Sequence, residues 1–350
     1  MASFNQFDRV VQLMVGSLTG PTAINIEELR VVFDIKKTRV STPNKAKIEV
    51  YGLSQKVRET IVAGQKVVLK AGYKDESNQA IIFAGDIIRS YTEKKPPDVI
   101  TVIEALDGRT SGLVKISVGY PPNTAASKVI EDMVKQTGNS LDGIIPKNVK
   151  DKMYPNGVSF SGTFKENMDK VAKYTESEWS SQNETVSIVA ARKSKDGRVS
   201  LISAEHGMID SPIRVSNVEP AVGRTPRKMK KLLGDVDVFP GWKVKNLLLP
   251  KIQPADGCTI DSESVPKNTL FTVWSVVHKG DTRGDDWYTE LEVSEIEISS
   301  GESKKRAIGA SRSFDEPSFK MPEFTPQYGV APVDNTRLQT SGYGKSRGSI

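Results

Sequence analysis

Alternation of apolar and polar side chains dominates the first hundred positions. In Lys47-Ile48-Glu49-Val50 every second residue is apolar, the period of a sheet with one face in the core and one in water. Similar runs, RVVQLMVGS, LRVVFDIKKT, AKIEVYGL, QKVVLKAGY, AIIFAGDIIRSYTE and DVITVIEALDG, are rich in Val and Ile and punctuated by Gly, Pro, Asn and Asp. Strands this short and closely spaced predict a small barrel or sandwich over residues 9–107. A corner at Thr42-Pro43-Asn44 separates two of them. Pro fixes φ there, Asn tolerates the bend, and the next strand carries Ile48, Val50 and Leu53 to the core. One short helix is expected in LSQKVRETIVAG, capped by Ser54 and stopped by Gly64.

The period changes in the middle third. Ala126, Val129, Ile130, Met133 and Val134 recur at helical spacing, with Gly138 as the stop. Thr163 and Glu166 form a capping box ahead of a second helix whose buried stripe is Phe164, Met168, Val171 and Ala172. Strands are expected at 186–191 and 199–203. Strand text returns in WKVKNLLLPKI, GCTIDSES, TLFTVWSVVHKG and WYTELEVSEIEIS, a second barrel. Past Ser300 the chain is dense in Gly, Pro and Ser without sustained period, a composition that buries no core of its own. The fold class is therefore mainly β with α+β: β-barrel domains at 1–112 and 216–300, an α+β domain at 113–215 between them, and an extended or disordered tail at 301–350.

Composition narrows the chemistry. The net charge is +6 over 350 residues, but the 49 basic residues are scattered among 43 acids, so the balance hints at an acidic partner without marking a dedicated nucleic-acid site. The single cysteine, Cys258, allows no intrachain disulfide and suits synthesis in a reducing cytoplasm. The start lacks the pattern of a signal peptide, and no apolar run approaches the roughly 20 residues a membrane span needs. The sequon at Asn183 then carries no meaning.

The constellations that would carry catalysis do not assemble. Two histidines, His206 and His278, with Cys258 reach three metal ligands only if distant segments meet. No Gly-x-Ser-x-Gly elbow accompanies either histidine. GYGKS at 342–346 lacks the leading glycine of a phosphate loop, since Gln339 stands there, and has no room for the helix that should follow. The acids Asp281, Asp285 and Asp286 lack calcium-loop spacing and are expected to close a hairpin. No pair of carboxylates is singled out for glycan hydrolysis. No catalytic residue, cofactor or metal is expected. Partner-binding candidates are the basic run Arg224, Arg227, Lys228, Lys230 and Lys231, which suits an acidic surface, and the tail anchors Phe314, Phe319, Phe324 and Tyr328, which suit an extended peptide in a groove.

In order along the chain, several stretches resemble the baseplate hub proteins of contractile-tailed bacteriophages, the tail component that joins tube to spike. They are Phe33-Asp-Ile-Lys-Lys-Thr38, Asn44-x-x-x-Ile48, Tyr51-Gly-Leu-Ser54, Leu69-Lys-Ala-Gly-Tyr73, Ile82-Phe-Ala-Gly-Asp86 and Glu104-Ala-Leu-Asp-Gly108. Asn246-Leu-Leu-Leu-Pro250, Val276-Val-His-Lys-Gly-Asp281 and Trp287-Tyr-Thr289 follow. The resemblance covers residues 9–299; the basic run and the tail fall outside the shared pattern. It implies a homotrimer in the virion tail baseplate, with two tube-like barrels per chain presenting six similar units to the tail tube. A threefold spike meets the other side, and the tape-measure protein and baseplate wedge are further neighbours. Readings of other kinds are a tail-associated peptidoglycan hydrolase, for which no segment is left over, and a single-strand-binding barrel, which would interleave aromatics with basic residues. The hub of a host-encoded contractile injection system is a variant of the leading reading.

Overall fold

The alternating text of the N-terminal third folds as β1 (Arg9–Gly16), β2 (Ala23–Ile26), β3 (Val31–Thr38), β4 (Asn44–Tyr51), α1 (Gln55–Thr60), β5 (Lys66–Tyr73), β6 (Gln79–Lys95) and β7 (Asp98–Asp107). The computed structural model describes residues 8–16, 23–75, 78–142, 145–191, 193–195, 199–215, 241–267 and 269–295. Of the two compact units into which the chain divides, Met1–Arg312 and Ser313–Ile350, the described residues all lie in the first. The inward positions of β3 and β4, Val31, Phe33, Ile35, Ala46, Ile48 and Val50, are buried, and each large apolar side chain so placed is worth about 1.5–3 kcal/mol. Ser54 caps α1 by accepting from the Val57 N–H. The helix ends at Thr60, four residues short of the stop expected at Gly64, because Ile61 leaves it in extended conformation to bury its side chain. Gly64, at φ +90°, serves the turn into β5 instead.

The middle lobe follows the helical text closely. Its elements are α2 (Arg109–Leu113), β8 (Lys115–Tyr120), β9 (Thr124–Ala125), α3 (Ala126–Thr137), β10 (Ser140–Asp142), α4 (Lys147–Lys150), β11 (Met153–Tyr154), β12 (Val158–Thr163), α5 (Phe164–Thr175), β13 (Ser177–Gln182) and β14 (Thr185–Ala190). Gly138 ends α3 in the left-handed conformation, and Thr163 and Glu166 form a full capping box on α5. The apolar stripes of α3 and α5 share one core with Ile116, Phe160 and Trp179, separate from the cores of the β lobes.

The C-terminal lobe consists of β15 (Val199–Ser203), β16 (Ile213–Val215), β17 (Gly241–Leu247), β18 (Gly257–Asp261), β19 (Leu270–Asp281) and β20 (Trp287–Glu295). The strand expected at 199–203 forms, but it pairs with β18 rather than within the middle lobe, and β16 pairs with β17. Both lobes belong to one thirteen-stranded sheet because β3 pairs with β19 from Thr38↔Ser275 to Val32↔Asp281. Neither half closes into a barrel among the described residues.

The two β lobes repeat one topology. Across the sheet the N-terminal order is β3-β4-β7-β6-β5-β1, and the C-terminal order is β16-β17-β20-β19-β18-β15. Chain order matches as well: 1, 3, 4, 5, 6, 7 against 15, 16, 17, 18, 19, 20. Each long hairpin carries a one-residue bulge at the same register, Ile88 in β6 and Trp274 in β19, directly before a residue opposite Glu104 and Glu292 respectively. Those glutamates in turn face Lys47 and Lys243. One difference remains: β1 runs antiparallel to β5, whereas β15 runs parallel to β18.

Candidate functional site: a polar joint and a charged sheet face

Period-2 geometry turns Val31, Phe33 and Ile35 inward, so it also turns Lys37 inward, and the chain must then satisfy a buried ammonium. Its Nζ donates to Asn183 Oδ1 at 2.7 Å. Burial pulls the Lys37 pKa down to about 8, opposed by the negative charge of Asp107. Asn183 and Glu184 make the two-residue turn of the β13–β14 hairpin, both at positive φ as a type I′ turn requires. The Asp107 carboxylate, at the end of β7, receives the backbone N–H groups of Asn183 (2.7 Å) and Glu184 (3.0 Å) and the Ser181 hydroxyl (3.1 Å). Burial raises its pKa despite these bonds. Asn183 Nδ2 donates to Ile81 O, and the Lys66 ammonium lies between Asp86 (2.6 Å) and Glu184. The tip of a middle-lobe hairpin is thus plugged into the N-terminal lobe by polar bonds.

Asn44 belongs to the same network. Rather than merely tolerating the corner, it opens β4 with its amide buried: Oδ1 accepts from Thr38 N at 2.9 Å, and Nδ2 points at Ser181 O (2.7 Å), Gln182 Oε1 and Asp107 Oδ2. Arg39, 1% exposed, connects three lobes. Its Nη1 donates to Thr272 Oγ1 in the C-terminal lobe and Nη2 to Ala190 O in the middle lobe, each at 3.1 Å, while Nε lies 2.5 Å from Glu178 Oε2. Such a buried polar joint adds little net stability over an apolar one, but it accepts a single arrangement of its parts. Its groups are spent on one another, which makes it an alignment device.

The second feature is the outward face of the shared sheet. Opposite residues on neighbouring strands run Tyr288, Lys279, Asp34, Lys47, Glu104, Arg89 from β20 to β6. A parallel row runs Lys245, Glu290, Val277, Lys36, Lys45. Arg89 and Glu104 approach to 2.7 Å, Lys243 and Glu290 to 3.1 Å, and Lys279 and Asp34 to 4.0 Å. Opposite charges in adjacent positions of the first row favour this register, the like pair Lys36 and Lys45 in the second row works against it, and together the rows leave a mixed polar wall across both lobes.

The sequence candidates fall elsewhere. Arg224, Arg227, Lys228, Lys230 and Lys231 lie outside the described residues. Phe314, Phe319, Phe324 and Tyr328 also lie outside them. Asp281 closes the β19–β20 turn onto Arg30 with a two-pronged ion pair of 2.6 and 3.1 Å. His278 is buried and bonds Thr289 Oγ1 at 2.9 Å, His206 bonds Ser203 Oγ at 2.7 Å, and Cys258 is buried. Among the described residues no three of His, Cys, Asp and Glu could hold a metal ion, and no helix is long and apolar enough to cross a membrane. Sequence reasoning missed Lys37, Arg39, Asp107 and Asn183. The usable signal was the parity of Lys37 on a strand whose other odd positions are all apolar.

No curated protein sequence matches the chain. Among solved structures it is similar to the 43 kDa tail protein of prophage MuSo2 from Shewanella oneidensis, at TM-score 0.56 and 12% identity over 81% of this chain and 98% of that one. It is likewise similar to a tail protein from Neisseria meningitidis MC58, at TM-score 0.56 and 10% identity over 83% and 97%. An E. coli type VI secretion component, itself described as similar to the T4 tail proteins gp27 and gp5, aligns at TM-score 0.51 and 9% identity over 81% and 76%. At these identities the likeness is one of fold. The sequence model of the family described as baseplate hub gp41 matches residues 10–215, more than half of the chain, and the chain therefore belongs to the baseplate hub gp41 family.

Proposed function

We propose that the chain is the structural hub of a contractile phage tail, a homotrimeric ring that joins a sixfold tail tube to a threefold spike and forms part of the central channel. The observation that carries this is the repeated strand order of the two β lobes. A chain holding two like units can offer six similar surfaces as a trimer on one side and threefold symmetry on the other. The charged sheet face is the channel wall in this reading: it is polar across both lobes, while the opposite face is filled by two apolar cores. The domains are two tube-like lobes and the middle lobe, with β15 and β16 assigned to the second tube-like lobe, and the polar joint sets the middle lobe against the ring. Arg224–Lys231 and the apolar anchors beyond residue 313 face tube, spike, tape-measure or wedge proteins. The role is structural, with no hydrolytic step.

Light scattering on the purified chain should give three times the 38.4 kDa chain mass, and in mixtures with tube and spike proteins that mass plus the mass of the bound partners. A monomer under every one of these conditions defeats the proposal. Peptidoglycan treated with the pure protein should stay intact. The similarity to a type VI secretion component keeps a host-encoded injection system as the second reading. Whether the encoding genes accompany capsid genes separates the two.

A further inference from the structure

The joint inside one chain describes the joint between chains. Within the chain, β3, the first strand across the N-terminal lobe, pairs with the distal half of β19, beyond the point where β18 stops at Thr272. The repeated topology supplies both halves of a second such joint, unfilled among the described residues. The counterpart of β3 is β16, whose only pairing among the described residues is with β17, and Ile213 on it is 63% exposed. The counterpart of distal β19 is distal β6: β5 leaves it at Asp86, and from Arg89 to Lys95 it pairs only with β7 among the described residues. The β7–β6 and β20–β19 hairpins share their bulge, which fixes the correspondence residue by residue. Arg89 stands for Ser275, Tyr91 for Val277 and Glu93 for Lys279. Through their lysine partners Lys47 and Lys243, Asp34 corresponds to Ile213, and Lys36 to Val215.

We infer that β16 of one copy pairs antiparallel with residues 89–95 of a second copy of this chain, in the register Ile213 opposite Glu93, Arg214 opposite Thr92 and Val215 opposite Tyr91. This rests on the trimeric reading above and names its contact. It repeats Asp34 opposite Lys279, Ile35 opposite His278 and Lys36 opposite Val277. Pairing satisfies two open strand edges, which otherwise present unpaired N–H and C=O groups. Among the described residues the remaining free edges of the large sheet, β2 and β15, sit at the other end of each lobe and correspond to nothing in the β3–β19 joint.

The test is a cysteine pair in the full-length chain. Directly opposite residues of an antiparallel pair have Cβ atoms about 4.5–5.5 Å apart, near enough for a disulfide after small adjustment. The variant I213C/E93C, oxidised with copper phenanthroline, should run as a covalent trimer on a non-reducing gel. Each single variant should stay monomeric there, and the shifted pair I213C/K95C should give much less product. Scattering on the same unoxidised sample separates the failures. A trimer that does not cross-link at the paired positions overturns this joint and leaves the hub reading standing. A monomer, alone and with tube and spike proteins, overturns both.

Discussion

Lys37 and His278 show how a strand position can be legible while its consequence is not. Alternation along Val31-Val-Phe-Asp-Ile-Lys-Lys-Thr38 states that Lys37 points inward, but its partner, Asn183, is far along the chain in another lobe, and no local pattern announces it. The unfolded chain holds a proton on Lys37 up to the ordinary 10.5, the folded one only to about 8. Stability should therefore rise with pH between these values, by at most about 1.4 kcal/mol per unit, and K37M should flatten the rise in urea midpoints. Asn183→Ala removes the acceptor while the ammonium stays buried, and should cost about 2–3 kcal/mol at pH 7. His278 works at the acid side. Burial, aided by the Lys37 charge, lowers its pKa to about 3, so the unfolded state takes up the proton first as pH falls below 6.5. From pH 7 to pH 5 this removes about 2 kcal/mol of stability, and H278Q should lose less than wild type over that interval, whatever its absolute midpoint.

At the scale of elements the sequence was readable wherever the signal was local. The capping box at Thr163, the left-handed stop at Gly138 and the strand periods each depend on residues within a turn or two, and the structure has them. The end of α1 was misread because burial of Ile61 outweighed the glycine beyond it. That the strand at 199–203 lies beside β18 could not be read for a related reason: a strand's period says which face is wet, and nothing about which strand lies beside it. The β13–β14 hairpin makes this concrete. Its Asn183-Glu184 turn lacks the usual glycine, and Asp107 binds both of its N–H groups from another lobe. Asp107→Asn turns an acceptor into a group with its own N–H hydrogens facing those donors. Hydrogen exchange should then speed up across residues 177–190 while α3 keeps its protection. Equal loss in both would mean that the tip is not what holds the hairpin in place.

The whole molecule is organised by the ladder between β3 and β19, which makes the two β lobes one mechanical body. Their cores are not independent either. Trp287 begins β20 of the C-terminal lobe, yet it is buried in the N-terminal core, edge-on to Phe33 at 5.6 Å and to Tyr73 at 6.4 Å, with the Arg9 guanidinium 5.4 Å from its ring centre. Gly280, opposite Trp287, leaves room for this: a Cβ there would overlap the Phe33 ring. Residues 10–215, the stretch matched by the family model, therefore carry a core that is incomplete without strands from beyond residue 240. Trp287→Ala should cost about 3–5 kcal/mol, the usual loss for a large buried aromatic. If the lobes fold as one body, the loss should be read in both: amides of β5 and of β17 should lose protection by the same free energy, though only β5 lies in the lobe where the cavity opens. Loss confined to β5 would mean that the two lobes unfold separately, and a ring in which each chain acts as a rigid pair of units could not then be built from them.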